Sequence, residues 1–77
     1  MFGKKIAKTI FIEGMSCGHC SKRVEEALKS VDGVKSVMVS LEEKKAEVVL
    51  KKDIDDEILK NTVQDIGFEV VVIKIDN

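Results

Sequence analysis

Cys17 and Cys20 are the only two cysteines of the chain, and they are spaced as Cys17-Gly18-His19-Cys20. That spacing lets both sulfurs converge on one point, where they can act in either of two ways. As thiolates they form a soft donor pair that suits a thiophilic ion such as Cu(I). As a dithiol–disulfide couple they can exchange electrons with another thiol. Taken alone, the pair serves either chemistry. A closed structural zinc site calls for four strong ligands, and a third or fourth is missing here. Two sulfurs therefore suit an ion that is content with few ligands and has to be given away. Two neighbours extend the set of donors. Met15 carries a thioether that Cu(I) can accept, but it reads first as a buried anchor that holds the loop in the core. His19 can lend an imidazole to a metal or to a second molecule's site. It falls opposite the apolar stripe of the following helix, however, and reads as a solvated side chain.

The elements that position the pair follow from changes of hydrophobic period. Lys5 to Glu13 alternates, with Ile6, Lys8, Ile10 and Ile12 on one side and Ala7, Thr9, Phe11 and Glu13 on the other. This is a strand, with Lys8 interrupting its apolar face. Gly14 to His19 reads as a loop. Cys20, Val24, Ala27, Leu28 and Val31 then draw one stripe on a helix, with Lys22, Arg23, Glu25, Glu26 and Lys29 on the opposite face. Asp32-Gly33 stops that helix with a residue suited to left-handed backbone. Val37, Val39 and Leu41 mark a second strand, and Glu42 to Lys45 a polar turn. Ala46, Val48 and Leu50 alternate with Glu47, Val49 and Lys51 in a third strand, so the two strands form an antiparallel hairpin. The turn has no glycine, which predicts a connection longer than two residues. Asp55 reads as the N-cap of a second helix, with Ile54 and Leu59 at the hydrophobic-staple positions. Leu59, Thr62, Val63 and Ile66 are its buried stripe, and Gly67 ends it. Val70 to Ile75 is a fourth, β-branched strand. Val24, Ala27, Leu28, Val37, Val39, Val48, Leu59, Val63 and Ile66 are the expected core.

Strand, helix, strand, strand, helix, strand, with right-handed crossovers, folds into a four-stranded antiparallel sheet with both helices on one face. This is the α+β ferredoxin-like βαββαβ sandwich, expected here as one domain over residues 1–77. It places the cysteines where a strand-following loop enters a helix. Unpaired backbone N–H groups and the positive end of the helix dipole face that junction. Both favour thiolate over thiol, as do Lys22 and Arg23 if either folds back.

Composition narrows the classes of function. With 77 residues and a mass of 8.6 kDa, there is room for one small domain. A net charge of -1 and only three phenylalanines argue against a nucleic-acid binder. No apolar run approaches the roughly 20 residues of a membrane span, and the charged N-terminus lacks the long apolar stretch of a secretory signal. One close cysteine pair in such a chain suits a reducing compartment, the cytoplasm.

Cys17-Gly18-His19-Cys20 is also the active-site tetrapeptide of protein disulfide isomerases, so a thioredoxin-like oxidoreductase competes with a metal carrier. The chain is shorter than a thioredoxin domain. Ser16 stands where that family usually has tryptophan. With no proline in the chain, the cis-proline facing the thioredoxin dithiol cannot exist. Gly14-Met15-Ser16-Cys17-Gly18-His19-Cys20 instead resembles the G-M-x-C-x-x-C signature of the heavy-metal-associated domain. The resemblance extends through Gly33-Val34-Lys35-Ser36-Val37-Met38-Val39-Ser40-Leu41 and Ile66-Gly67-Phe68, nearly the whole chain. It implies the βαββαβ fold and Cu(I) held by Cys17 and Cys20. Mercury, cadmium and zinc are further candidates. It also implies delivery by ligand exchange to a copper-transporting P-type ATPase, or to the C-x-x-C domain of one, with no catalytic turnover. The protein is then expected to be monomeric without metal and able to form a metal-bridged dimer.

Two kinds of member fit: a free chaperone and the N-terminal regulatory metal-binding domain of such an ATPase. A chain ending at Asn77 favours the first. Phe68 favours the second, because tyrosine is frequent at its position in the bacterial chaperones. Phe68 is expected to approach the loop from the end of the second helix and shield the sulfurs from water. Lys22, Arg23 and Lys29 are either a docking face for an acidic partner or a solvated helix face. Gly14 and Gly18 relieve backbone strain.

Overall fold

The computed structural model describes residues 6–16 and 18–76. Its elements are β1 (Ile6–Glu13), α1 (Gly18–Lys29), β2 (Val34–Ser40), β3 (Lys45–Leu50), α2 (Asp56–Asp65) and β4 (Glu69–Asp76). The strands form one antiparallel sheet in the order β2-β3-β1-β4. This is the expected ferredoxin-like βαββαβ sandwich. Among the described residues no helix is long and apolar enough to cross a membrane.

The two periods of the sequence meet in one core. Ile10 and Ile12 of β1 and Ala46, Val48 and Leu50 of β3 point to the helical side, where Val24 and Leu28 of α1 and Leu59 and Val63 of α2 cover them. A Val, Leu or Ile buried this fully contributes about 1.5–3 kcal/mol. Val37 and Val39, expected in the core, are only partly buried because β2 is an edge strand. Ala27 and Ile66 are likewise half-buried.

Several boundaries differ from those read in the sequence. α1 starts at Gly18, so Gly18 and His19 lie in its first turn and not in the preceding loop. β2 starts at Val34, three residues early, and Lys45 belongs to β3. The hairpin turn is the four residues 41–44, closed by Lys44 N–H donating to the Leu41 carbonyl at 3.3 Å, with Lys44 in left-handed backbone at φ 56°. The long, glycine-free connection is thus as expected. Asp55 occupies the N-cap of α2 without a side-chain capping bond. The buried Ile54 and Leu59 on either side of that turn take the staple positions.

Lys8 is the conspicuous exception to the apolar pattern. It lies on the core face of β1, 5% exposed, and its Nζ donates to the Ile54 carbonyl at 2.7 Å and to Asp56 Oδ1 at 2.6 Å. The lysine that interrupts the apolar face therefore ties the central strand to the start of α2.

Candidate metal centre

Three connections gather at the end of the sheet where β1 finishes. Phe11 pairs with Lys45, and the Ile12 N–H donates to the Lys44 carbonyl at 2.8 Å, which places the β2–β3 turn there. Glu13 pairs with Glu69, so the α2–β4 link lies there too. The segment 14–16 leaves β1 at this end, ahead of α1.

Gly14 and Met15 each have a physical task. Gly14 has φ +100°, a conformation that side chains rarely adopt, and a Cβ built there would sit 3.4 Å from Phe68 Cδ1. The turn out of β1 thus depends on glycine, and the ring of Phe68 packs against it. Phe68 is partly buried on the core cluster and approaches the loop as expected. Met15 is 7% exposed and belongs to the core, which makes it the anchor between an exposed Gly14 and an exposed Ser16. Cys17 lies outside the described residues. Cys20 is in the first turn of α1, partly buried against the core cluster. His19 beside it is exposed, as are Lys22 and Arg23. Ser21 Oγ donates to the Gly18 carbonyl at 2.9 Å within the same turn.

The electrostatics of the two helix starts differ. The first turn of α2 carries Asp56 and Glu57, whereas among the described residues the first turn of α1 carries no carboxylate. An anion arriving at α1 therefore meets the positive dipole end without a competing side chain. A thiolate is such an anion. At the rim, the Lys45 amine lies between Glu43 at 3.0 Å and Glu47 at 3.3 Å, and the hydrogen bond it donates to Glu43 is the main reason its pKa is raised.

Gly14→Ala should destabilise the fold by about 1–3 kcal/mol, because alanine would hold a backbone conformation open essentially only to glycine. Urea denaturation measures this. Gly18, expected to relieve strain, does not: it is helical without a positive φ and nothing lies within 4 Å of a Cβ built on it, so Gly18→Ala is the control. That substitution should cost nothing and gain about 0.5–1 kcal/mol, since alanine is the better helix former.

The fold defines a ferredoxin-like domain, and the C-x-x-C of the sequence falls at the entry to α1. Residues 9–69 match the family model of the heavy-metal-associated domain, and the chain belongs to that family. It is 42% identical over 64 residues to the copper chaperone CopZ of Staphylococcus aureus (strain bovine RF122 / ET3-1), covering 78% of this chain and 90% of that one. Among solved structures it resembles a CopZ metallochaperone with a TM-score of 0.79 and 39% identity, over 84% of this chain and 98% of the other. It also resembles a copper-binding domain from HMA7, a P-type ATPase, with a TM-score of 0.78 and 33% identity over 94% and 95% of the two chains.

Proposed function

We propose that this chain is a cytoplasmic Cu(I) carrier, acting as one heavy-metal-associated domain over residues 1–77. It holds its cargo between the sulfurs of Cys17 and Cys20 and passes it to a second C-x-x-C domain, such as that of a copper-transporting P-type ATPase. The observation that carries the reading is the Gly14–Cys20 junction. Met15 is consumed by the core, so the soft donors left for a metal at this junction are the two cysteines, at a helix start free of carboxylates. The chaperones to which the chain is similar support copper as the cargo. Mercury, cadmium and zinc compete on thiolate softness.

Exchange then proceeds through sulfur alone. An incoming thiolate adds to two-coordinate Cu(I), a three-coordinate intermediate forms, and one original Cu–S bond breaks; the acceptor's second thiolate then repeats the step and displaces the other original sulfur. The ion never leaves sulfur, and no electron changes hands. No covalent turnover is involved, so the protein should be inactive in an insulin-reduction assay.

X-ray absorption on protein loaded with one Cu(I) per chain tests the site. The expected spectrum has two or three sulfur neighbours and few light atoms; four nitrogen or oxygen neighbours would overturn the reading. Met15→Leu separates the anchor from the ligands. It should keep Cu(I) affinity within about tenfold, ~1.4 kcal/mol, while changing stability through repacking. Loss of copper binding in a folded Met15→Leu protein would assign the thioether to the metal.

Phe68 favours a second reading, in which the chain is the regulatory domain of an ATPase. The similarity to the copper-binding domain of HMA7 is in keeping with it. The coding context of the chain separates the two.

A further inference from the structure

We propose that the groove between the end of α1 and the start of α2 binds an extended segment of a partner protein in which arginine or lysine stands beside aliphatic residues. The groove lies at the end of the sheet where β1 begins, away from the β1–α1 junction. Ile6 pairs with Leu50 there, and the Lys51 N–H donates to the Gly33 carbonyl at 2.6 Å, which brings the α1–β2 turn beside the β3–α2 link. The 12 residues of α1 separate the two ends by roughly 18 Å. Gly33, at φ +103°, lets the turn close on the link: a Cβ there would sit 2.9 Å from Lys52 and 3.0 Å from Ile54. The groove, about 460 Å³, is lined by the apolar Val31, Ile54 and Ile58 and by the charged Asp32, Lys52, Asp53 and Asp55.

The chemistry of the occupant follows from that lining. Ile58 is 48% exposed, on a helix whose Leu59 and Val63 are wholly buried. The link from Lys51 to Glu57 carries four carboxylates against two ammonium groups. Lys52 is drawn to Asp32 at 3.2 Å. Among the described residues neither Asp53 nor Asp55 has an ion pair, and both are exposed. Asp55 holds the N-cap of α2 without spending its carboxylate on a capping bond. Asp32, Asp53 and Asp55 do not converge as the ligands of one metal ion would. Spread along an apolar groove, they match an extended chain with more than one cation. Arginine and lysine suit both parts of the lining, because their aliphatic stems lie along apolar surface while their heads reach carboxylates. A neighbouring leucine or isoleucine covers Val31 and Ile58. A purely polar cation would leave Ile58 in water, and a purely apolar segment would bury the carboxylates of Asp53 and Asp55 without partners.

A segment seated here leaves the β1–α1 junction uncovered. On the carrier reading proposed above, the protein can then be held by one end while it hands over its cargo at the other. Such tethering raises the effective concentration of carrier at its acceptor.

NMR titration of the isotope-labelled full chain with three blocked peptides of equal length tests the proposal. One combines arginine with leucine, one arginine with serine, and one glutamate with leucine. The first should shift the amide signals of Val31, Asp32 and the stretch from Lys52 to Ile58, and saturate them. The second should bind at least about tenfold more weakly, and the third should leave those signals in place. The triple variant Asp32→Asn/Asp53→Asn/Asp55→Asn should weaken the first peptide about tenfold or more. It should fold, since asparagine serves an N-cap as well as aspartate and the Asp32–Lys52 pair is exposed. Ile58→Ser should weaken the same peptide through the apolar lining. The double variant Cys17→Ser/Cys20→Ser should bind it unchanged, which keeps the result independent of the copper reading. Equal binding of the arginine–serine peptide overturns the proposal, as do shifts that avoid the groove or an affinity that survives the triple variant. Shifts of the same signals on raising protein concentration alone would make a second copy the occupant, and would overturn it too.

Discussion

Replacing either Cys17 or Cys20 by serine should lower Cu(I) affinity by at least about a hundredfold, ~2.7 kcal/mol. A serine hydroxyl is a hard donor that does not ionise at neutral pH, so each substitution leaves one soft thiolate where the carrier needs two. The fold should survive both changes. Cys20 is only partly buried, so a hydroxyl there keeps access to water. Met15 and Leu28, which hold the loop and α1 in the core, are untouched. Competition against a Cu(I) chelator gives the affinity, and circular dichroism confirms folding. Retention of full affinity by either variant would contradict the two-sulfur site.

The largest expected effect on stability is at Asp56, a residue remote from the cysteines. The Lys8 ammonium is 5% exposed and Asp56 50%. Asp56→Ala therefore strands a buried charge with the Ile54 carbonyl as its one remaining partner among the described residues. The loss should be about 2–3 kcal/mol, or roughly 10–20 °C in Tm for a domain of this size. Lys8→Met removes the charge itself and fills the same space. It leaves Asp56 facing water, so its cost should stay within about 1 kcal/mol. Glu57→Ala is the control for the first turn of α2 and should cost about 0.5 kcal/mol through the helix dipole alone. Calorimetry on the three variants gives the ranking, and an Asp56→Ala protein as stable as Lys8→Met would remove the pair from the account.

That asymmetry marks where the sequence was legible. The alternation of β1 put Lys8 on the core face, but its partner lies 48 residues away, and spacing along the chain cannot reveal such a contact. Element order and the stripes of α1 and α2 were readable because Val24 and Leu28, and Leu59 and Val63, repeat at helical period. The start of α1 was misread because Gly18 is a poor helix former, and tertiary packing of the helix overrode that preference. The family motif was readable from Gly14 to Cys20. The burial of Met15 bears out its reading as the core anchor, and Phe68 approaches the loop at Gly14 as read. The bulge at Val71, an extra residue of β4 where Phe11 lies opposite Val72 and Ile12 opposite Val70, was invisible, since the apolar run Val70 to Ile73 has no period from which to see an inserted residue.

Transfer kinetics test the central claim most directly. Copper-loaded protein is mixed with a second C-x-x-C domain, and the rate is followed as acceptor concentration rises. A sulfur-to-sulfur handover has the rate climb with acceptor and far exceed spontaneous dissociation into a small-molecule chelator. A rate independent of acceptor and equal to that dissociation would contradict the handover, and would leave sequestration as the function of the site.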